Sequence, residues 1–192
     1  MPVTENISVH VRVRPLSESE RERGSSAWRV EGNSLAQAET SGDSRVIDTA
    51  YTLDTVFGPD TSTKEVYLAT TQSIIHQVVQ GFNGTVFAYG QTSSGKTHTM
   101  RGVPEHPGIV DMAVREVFEL IAAAQHREFL LRVSYMEIYN EDINDLLAPE
   151  NQRLQVHESK EAGVHVVGLR EEIVTSPEQV RGEGEKRGRH AM

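Results

Sequence analysis

The chain has 192 residues, of which 37% are hydrophobic, and a formal net charge of −9 that arises from 28 acidic and 19 basic side chains. This size suits one domain with a buried core, and the acidic balance argues against a protein that coats nucleic acid through bulk charge. Because the chain has no cysteine and no apolar stretch near the roughly 20 residues that cross a bilayer, we expect an unexported, soluble protein without disulfides, thiolate-bound metal or membrane contact.

Alternating apolar and polar residues from position 7 to position 14 predict the first β-strand, because this is the period of a half-buried strand. Pro15 ends the strand, since proline has no N–H to donate to a ladder. The alternation places Arg12 and Arg14 on the same face.

The stretch from residue 16 to residue 49 is polar and contains glycines, so we expect a loop with short strands near residues 28–30 and 46–47. A helix is predicted next. Ser62 and Glu65 have the spacing of a capping box, which marks the helix start, and a glycine at position 81 marks its end.

Three later segments extend this pattern. Residues 85–89 form a short β-rich run without alternation, which suits a strand buried on both faces of a parallel sheet. Residues 110–121 carry apolar side chains at helical spacing, and residues 129–139 predict another strand. Strands that alternate with helices favour an α/β fold.

A glycine-rich turn after residues 85–89 matches the phosphate-loop pattern G-x-x-x-x-G-K-[ST] at Gly90, Gly95, Lys96 and Thr97. Glycines let backbone N–H groups converge on a phosphate. Lys96 would supply positive charge to the β- and γ-phosphates, and the Thr97 hydroxyl would ligate Mg²⁺. The simpler alternative is a Gly/Ser-rich turn with an incidental Lys-Thr pair, but the predicted strand before it and helix after it favour nucleotide binding.

The sequence FAYGQTSSGKTHTM around this turn resembles the phosphate loop of the kinesin motor domain, and SYMEIYNEDINDLL resembles a strand and turn of the same family. Three further segments occur in the family's order and spacing: VRVRPL, LDTVFGPDTSTKEVY and VHESKEAGVHVVGL. The resemblance covers residues 7–180 and is closest in wording to the mitotic centromere-associated kinesins and their plant relatives. It implies the front half of a kinesin motor domain: an incomplete, P-loop NTPase-type central sheet flanked by helices.

The resemblance also implies a site for ATP and Mg²⁺, in which the loop wraps the phosphates and other residues line the adenine and ribose. From the residues alone, the two strand arginines are more simply exposed, and the histidine after the loop is an ordinary helix residue. The implied nucleotide-binding residues are Arg12, Arg14, Pro15 and His98 on the adenine and ribose side, Gly90, Gln91, Thr92, Ser93, Ser94, Gly95 and Lys96 on the phosphates, and Thr97 on the metal.

ATP-driven movement along microtubules is the family's activity, so the resemblance implies a cytoplasmic protein of the microtubule cytoskeleton. It places a microtubule-contacting loop at residues 153–170. A solvated surface explains this segment equally well, because its charges nearly balance. The opposing charges in and beside it are Arg153, Lys160 and Arg170 against Glu158, Glu161 and Glu171.

Two motifs that the family uses to sense and hydrolyse the γ-phosphate, N-x-x-S-S-R-S-H and D-x-x-G-x-E, do not occur in the sequence, so no catalytic residue is assigned. Ser176 and Pro177 predict a helix start. After Val180 the sequence is rich in glycine and charge, which predicts that no helix with a buried face continues. We expect a partial motor domain at residues 1–180 and a divergent, disordered tail at residues 181–192, as in a shortened product.

Two functions stay open on the sequence: a microtubule-stimulated ATPase motor, and a non-catalytic nucleotide-binding fragment without the hydrolysis switches. A small-molecule kinase is a third reading, but it needs a lid or base-recognition segment, and none follows the loop. An incomplete sheet also predicts low stability. Unpaired buried N–H and C=O groups in the strand at residues 85–89 would cost about 1–3 kcal/mol each, against a total stability of about 5–15 kcal/mol.

Overall fold

The fold is that of a computed structural model, which describes residues 7–24, 26–37, 50–160 and 163–185. The strand predicted at residues 46–47 and the tail beyond residue 185 lie outside the described residues. The chain divides into two units, Met1–Ala113 and Val114–Met192. Within the described part, no helix combines the length and apolarity needed to cross a membrane.

The first unit combines short sheets with helices. β1 and β5 pair in parallel, whereas β2, β3 and β4 form an antiparallel sheet and β6 and β7 form a short hairpin. The elements in chain order are β1 (His10–Arg12), α1 (Glu18–Arg23), β2 (Trp28–Glu31), β3 (Ser34–Gln37), β4 (Ala50–Thr52), β5 (Thr55–Phe57), α2 (Thr63–Thr70), α3 (Gln72–Val79), α4 (Lys96–Met100), β6 (Gly102–Val103), β7 (His106–Pro107) and the start of α5 (Ile109–Ala123).

The second unit holds the rest of α5 and three antiparallel strand pairs, β8 with β13, β9 with β10, and β11 with β12. Its further elements are β8 (Arg132–Val133), β9 (Met136–Tyr139), β10 (Asp142–Asp145), β11 (Val156–Ser159), β12 (Gly163–Val166), β13 (Glu172–Ile173) and α6 (Pro177–Glu185).

The core of the first unit lies where β5, α2 and the start of α5 meet. Its buried members are Phe57, Val66, Tyr67 and Ile109, and Val86 packs against them. Burial of such side chains contributes roughly 1.5–3 kcal/mol each. The core therefore joins the segment that precedes the glycine-rich turn to the helices around it.

In the second unit, one buried carboxylate accepts hydrogen bonds from three backbone N–H groups. Asp145 is only 1% exposed. Its Oδ1 accepts hydrogen bonds from the backbone N–H groups of Leu147 (2.7 Å) and Ala148 (3.1 Å), and its Oδ2 accepts one from Arg170 (2.7 Å). Because buried N–H groups need partners, Asp145 holds the chain around β10 to the segment before β13.

Several local predictions are confirmed. The Ser62 hydroxyl accepts from the Glu65 N–H (3.2 Å), and the Glu65 carboxylate accepts from the Ser62 N–H (2.8 Å), so α2 begins with the expected capping box. α5 covers the predicted helix at residues 110–121. The first strand, the strand near residues 28–30 and the helix that begins at Pro177 are also present.

The strand expected at residues 85–89 is not formed. This segment pairs with no other strand among the described residues, and Phe87 and Tyr89 are 79% and 95% exposed instead of buried. Its composition favours a strand, but a strand also needs ladder partners. Accordingly, the described residues form two- and three-stranded sheets rather than one continuous central sheet.

Other element boundaries also differ from expectation. The segment at residues 129–139 is split into β8 and β9, the loop after Pro15 contains α1, and Thr71 separates α2 from α3. α6 continues past Val180 to Glu185. A glycine in a helix interior lowers helix stability by about 1 kcal/mol, which a helix can tolerate. Val180 is buried, and its carbonyl oxygen accepts a hydrogen bond from the Tyr135 hydroxyl (3.0 Å), so this turn of the helix is anchored.

Candidate functional site

The glycine-rich turn, residues 90–97, curls back on itself before α4. Gly90, Ser93 and Gly95 have positive φ angles of 154°, 64° and 100°. A Cβ added to Gly90 would lie 2.6 Å from the Ser94 hydroxyl oxygen, which is closer than real contacts allow. The loop thus needs glycine at its first position, as a backbone cradle for a phosphate requires.

Lys96 closes this loop from inside. Its Nζ donates hydrogen bonds to the carbonyl oxygens of Gly90 (2.7 Å) and Gln91 (2.8 Å). Among the described residues it makes no ion pair with a carboxylate. No carboxylate of the described part therefore compensates the ammonium charge within the loop, and this group is available to bind an anionic ligand.

The next residue, Thr97, is exposed, and no hydrogen bond of its hydroxyl group is seen within the described ranges. In that same part of the chain, no group of three or more His, Cys, Asp or Glu side chains could hold a metal ion. Mg²⁺ usually takes few protein ligands and several phosphate or water oxygens. A single exposed hydroxyl beside a loop that carries a lysine is the kind of protein ligand that such an ion takes.

A cavity of about 780 Å³ opens beside the loop, within the first unit. Its wall combines the end of β1, the start of α2, the end of the loop and the β6–β7 hairpin. Six of the twelve predicted site residues line it: Arg12, Arg14, Pro15, Ser94, Gly95 and His98. The other six, Gly90, Gln91, Thr92, Ser93, Lys96 and Thr97, belong to the adjoining loop but do not form this wall.

Arg12 is part of the cavity wall rather than an exposed strand arginine. Its Nη1 donates to the hydroxyl groups of Thr63 (3.1 Å) and Thr99 (2.9 Å), and its Nη2 donates to the carbonyl oxygen of Thr61 (3.0 Å). Burial lowers the pKa of Arg12 from its ordinary value. One guanidinium therefore connects β1, the start of α2 and α4.

Arg14, the second strand arginine, is held by Glu20 of α1. Arg14 Nη1 and Nη2 donate to the two carboxylate oxygens of Glu20 (2.8 and 2.6 Å), and Nη1 also donates to the Pro15 carbonyl oxygen (3.1 Å). The hydrogen bond from Arg14, followed by those from Ser17, lowers the pKa of Glu20 to about 2. The hydrogen bond with Glu20 raises the pKa of Arg14, so both groups are ionised at neutral pH.

The sequence reasoning missed the residues that hold these two arginines, which are Glu20, Thr61, Thr63 and Thr99. A signal existed for Glu20, because Ser17 and Glu20 have the same capping-box spacing as the pair that starts α2. No local pattern indicates the threonines, since they lie 49 to 87 positions from Arg12.

The cations in the expected microtubule-contacting segment are largely paired. Arg153 lies 3.3 Å from Asp142, and Arg170 pairs with Glu172. Glu171 in turn pairs with Arg132 (3.0 Å). These exposed ion pairs offset the charges of both arginines.

Comparisons with known proteins converge on one family. The family model "Kinesin motor domain" matches residues 12–187. Kinesin-like protein KIN-7I of Oryza sativa subsp. japonica is 55% identical over 176 residues, and kinesin-like protein KIN-7O of Arabidopsis thaliana is 52% identical over 176 residues. Each alignment covers 92% of this chain.

A solved structure of a fast kinesin, described for its ATPase mechanism and interactions with microtubules, matches with a TM-score of 0.87 at 35% identity. The match covers 95% of this chain and 52% of that chain, and it confirms the α/β fold expected from the sequence. The chain spans only 14% and 13% of the lengths of the two plant relatives.

Proposed function

Because the chain belongs to the kinesin motor domain family, we propose that it binds Mg-ATP in the loop and cavity of its first unit. The observation that carries this proposal is that Lys96 donates hydrogen bonds to the carbonyl oxygens of Gly90 and Gln91, beside a cavity lined by Arg12 and Arg14. A positive charge held inside a cradle of backbone groups is what a triphosphate needs.

Each part of the site has a role in this proposal. The backbone N–H groups of residues 90–97 surround the phosphates, and Lys96 exchanges its carbonyl partners for phosphate oxygens. Thr97 holds Mg²⁺, which neutralises phosphate charge when it is bound. The adenine and ribose lie against Arg14, Pro15 and His98. Arg12 acts from within the wall, because its N–H groups already bond to three threonines.

We further propose that this nucleotide site belongs to a microtubule motor. The support is the family match and the likeness to the fast kinesin. Microtubule contact is assigned to the β11–β12 hairpin, where Lys160 is exposed and makes no ion pair with another described residue. Arg153 and Arg170 each form an ion pair with a carboxylate, Asp142 and Glu172 respectively. This contact is therefore weaker than one made by a patch of free cations.

A second candidate is nucleotide binding without turnover. It is favoured by the sequence, in which neither N-x-x-S-S-R-S-H nor D-x-x-G-x-E occurs. Phosphoryl transfer to water needs groups that position the water and stabilise the charge on the γ-phosphate. A phosphate loop alone provides binding but not these groups.

Steady-state ATPase measurements with and without microtubules separate the two candidates, with Lys96→Ala as the site variant and Arg29→Ala as the control, since Arg29 is an exposed cation that belongs to neither the loop nor the β11–β12 hairpin. Microtubule-stimulated turnover that is lost in Lys96→Ala supports the motor. Nucleotide binding without stimulated turnover supports the second candidate. If the folded chain neither binds nor hydrolyses ATP, both are contradicted.

A further inference from the structure

We infer that Glu20 is a positioning residue for the base of the bound nucleotide, and that it acts by fixing the guanidinium of Arg14 as a stacking surface. The inference rests on the proposed nucleotide binding and extends it to a helix outside the phosphate loop. Glu20 lies on α1 and reaches Arg14 at the edge of the cavity.

The hydrogen bonds of Arg14 occupy the edge of its guanidinium group. Both Nη atoms donate to the Glu20 carboxylate, and Nη1 also donates to the Pro15 carbonyl oxygen. Guanidinium N–H groups all point outward in the plane of the group. These contacts use the edge of the group and fix its plane, and the side chain remains 40% exposed at the cavity. A flat aromatic base stacks on the face of such a group.

The charge of the pair also favours the base over the phosphates. Glu20 carries a full negative charge that compensates Arg14, and its pKa of about 2 keeps it ionised. Lys96, by contrast, bonds within the described part of the chain only to the neutral carbonyl groups of Gly90 and Gln91. The uncompensated charge thus lies in the loop, whereas the neutralised guanidinium lines the cavity, where it serves as a surface rather than as a charge.

Glu20 is itself held in place before any ligand binds. Its Oε2 accepts a hydrogen bond from the Ser17 N–H (2.7 Å) in the capping box of α1. The chain of contacts runs from Ser17 to Glu20 to Arg14 and ends at the cavity. A long side chain that is ordered in advance loses less entropy when the ligand binds, so this arrangement strengthens binding without touching the ligand.

The test compares two ligands on the full 192-residue chain: ATP, which has a base, and inorganic tripolyphosphate, which has none, each with Mg²⁺. Glu20→Gln keeps the capping box, because Gln also serves at that position, but it removes one acceptor and the charge from the pair. Glu22→Gln is the matched control, since Glu22 is an exposed acid of the same helix.

We expect Glu20→Gln to raise the Kd for ATP about five-fold and to leave the Kd for tripolyphosphate within about two-fold. Glu22→Gln changes neither. Arg14→Ala weakens ATP binding at least as much, and adding Glu20→Gln to Arg14→Ala has little further effect, because the two residues act as one unit.

An equal loss of affinity for both ligands in Glu20→Gln would overturn the inference, since Glu20 would then act on the whole site or on the fold. Unchanged ATP affinity would overturn it as well. If the unaltered chain binds tripolyphosphate but not ATP, the phosphate loop stands and the base-stacking role fails. If it binds neither, the proposed function fails and the inference fails with it.

Discussion

The Nζ atom of Lys96 lies 2.7 Å from the carbonyl oxygen of Gly90, so the first residue of α4 reaches back across the loop to the first glycine of the turn. The ammonium group of Lys96 therefore closes the loop through this hydrogen bond, and the shape of the closed loop depends on the backbone angles at Gly90. Geometry at one end of the loop thus determines where the positive charge sits at the other.

Gly90→Ala is expected to weaken nucleotide binding about ten-fold or more, because the added Cβ meets the Ser94 hydroxyl oxygen at 2.6 Å and Gly90 has a φ of 154°. Gly58→Ala is the matched control, since a Cβ there meets nothing within 4 Å. Fluorescent-nucleotide titration gives the two affinities. Equal affinities in the two variants would show that the loop does not hold the phosphates.

Arg12→Lys should reduce the free energy of unfolding by about 1–2 kcal/mol, because a single ammonium cannot keep the forked contacts to Thr61, Thr63 and Thr99. Arg29→Lys, in an exposed ion pair with Glu31, should change stability by no more than about 0.5 kcal/mol. Urea unfolding measures both. A result in which the Arg12 variant is as stable as the Arg29 variant contradicts the role of Arg12 in the cavity wall.

Asp145→Ala should be the most destabilising of these substitutions, by about 3 kcal/mol or more. It leaves three backbone N–H groups, those of Leu147, Ala148 and Arg170, without their acceptor. Asp142→Ala removes only an exposed ion pair with Arg153 and should have little effect. Hydrogen exchange at the three amides checks the mechanism, because protection there should fall selectively.

Phe87→Thr is expected to reduce aggregation without lowering stability, because Phe87 is 79% exposed on a segment with no ladder partner among the described residues. Exposed apolar segments without ladder partners recruit other chains, and unmet backbone hydrogen bonds lower stability, so we also expect the unaltered chain to aggregate readily and to be marginally stable. Light scattering during a thermal melt measures both properties. A cooperative, high-temperature melt of soluble monomer would contradict this expectation.

Features that depend on neighbouring residues were predictable from the sequence. The capping box at Ser62, the helix α5 and the tight glycine-rich turn before α4 each follow from residues a few positions apart. The capping box at Ser17 carried the same signal inside a polar stretch and was overlooked. Local patterns of this kind determine where an element begins and what a tight turn can hold.

Features that depend on distant partners were not predictable from local patterns. Residues 85–89 have the composition of a buried strand, and only the family resemblance, not the composition, indicated that its ladder partners would be missing. The contacts of Arg12 with Thr63 and Thr99 span 51 and 87 positions. The burial of Asp145 depends on the Arg170 N–H, 25 positions away. Such contacts exist only once the chain has folded.

Calorimetric titration of the folded chain with ATP, in the presence and absence of Mg²⁺, tests the central claim most directly. The account predicts heat of binding that depends on Mg²⁺, is strongly reduced in Lys96→Ala and is unchanged in Lys160→Ala. Folded chain that gives no Mg²⁺-dependent heat with ATP would contradict it, and so would equal heat from the chain with and without Lys96.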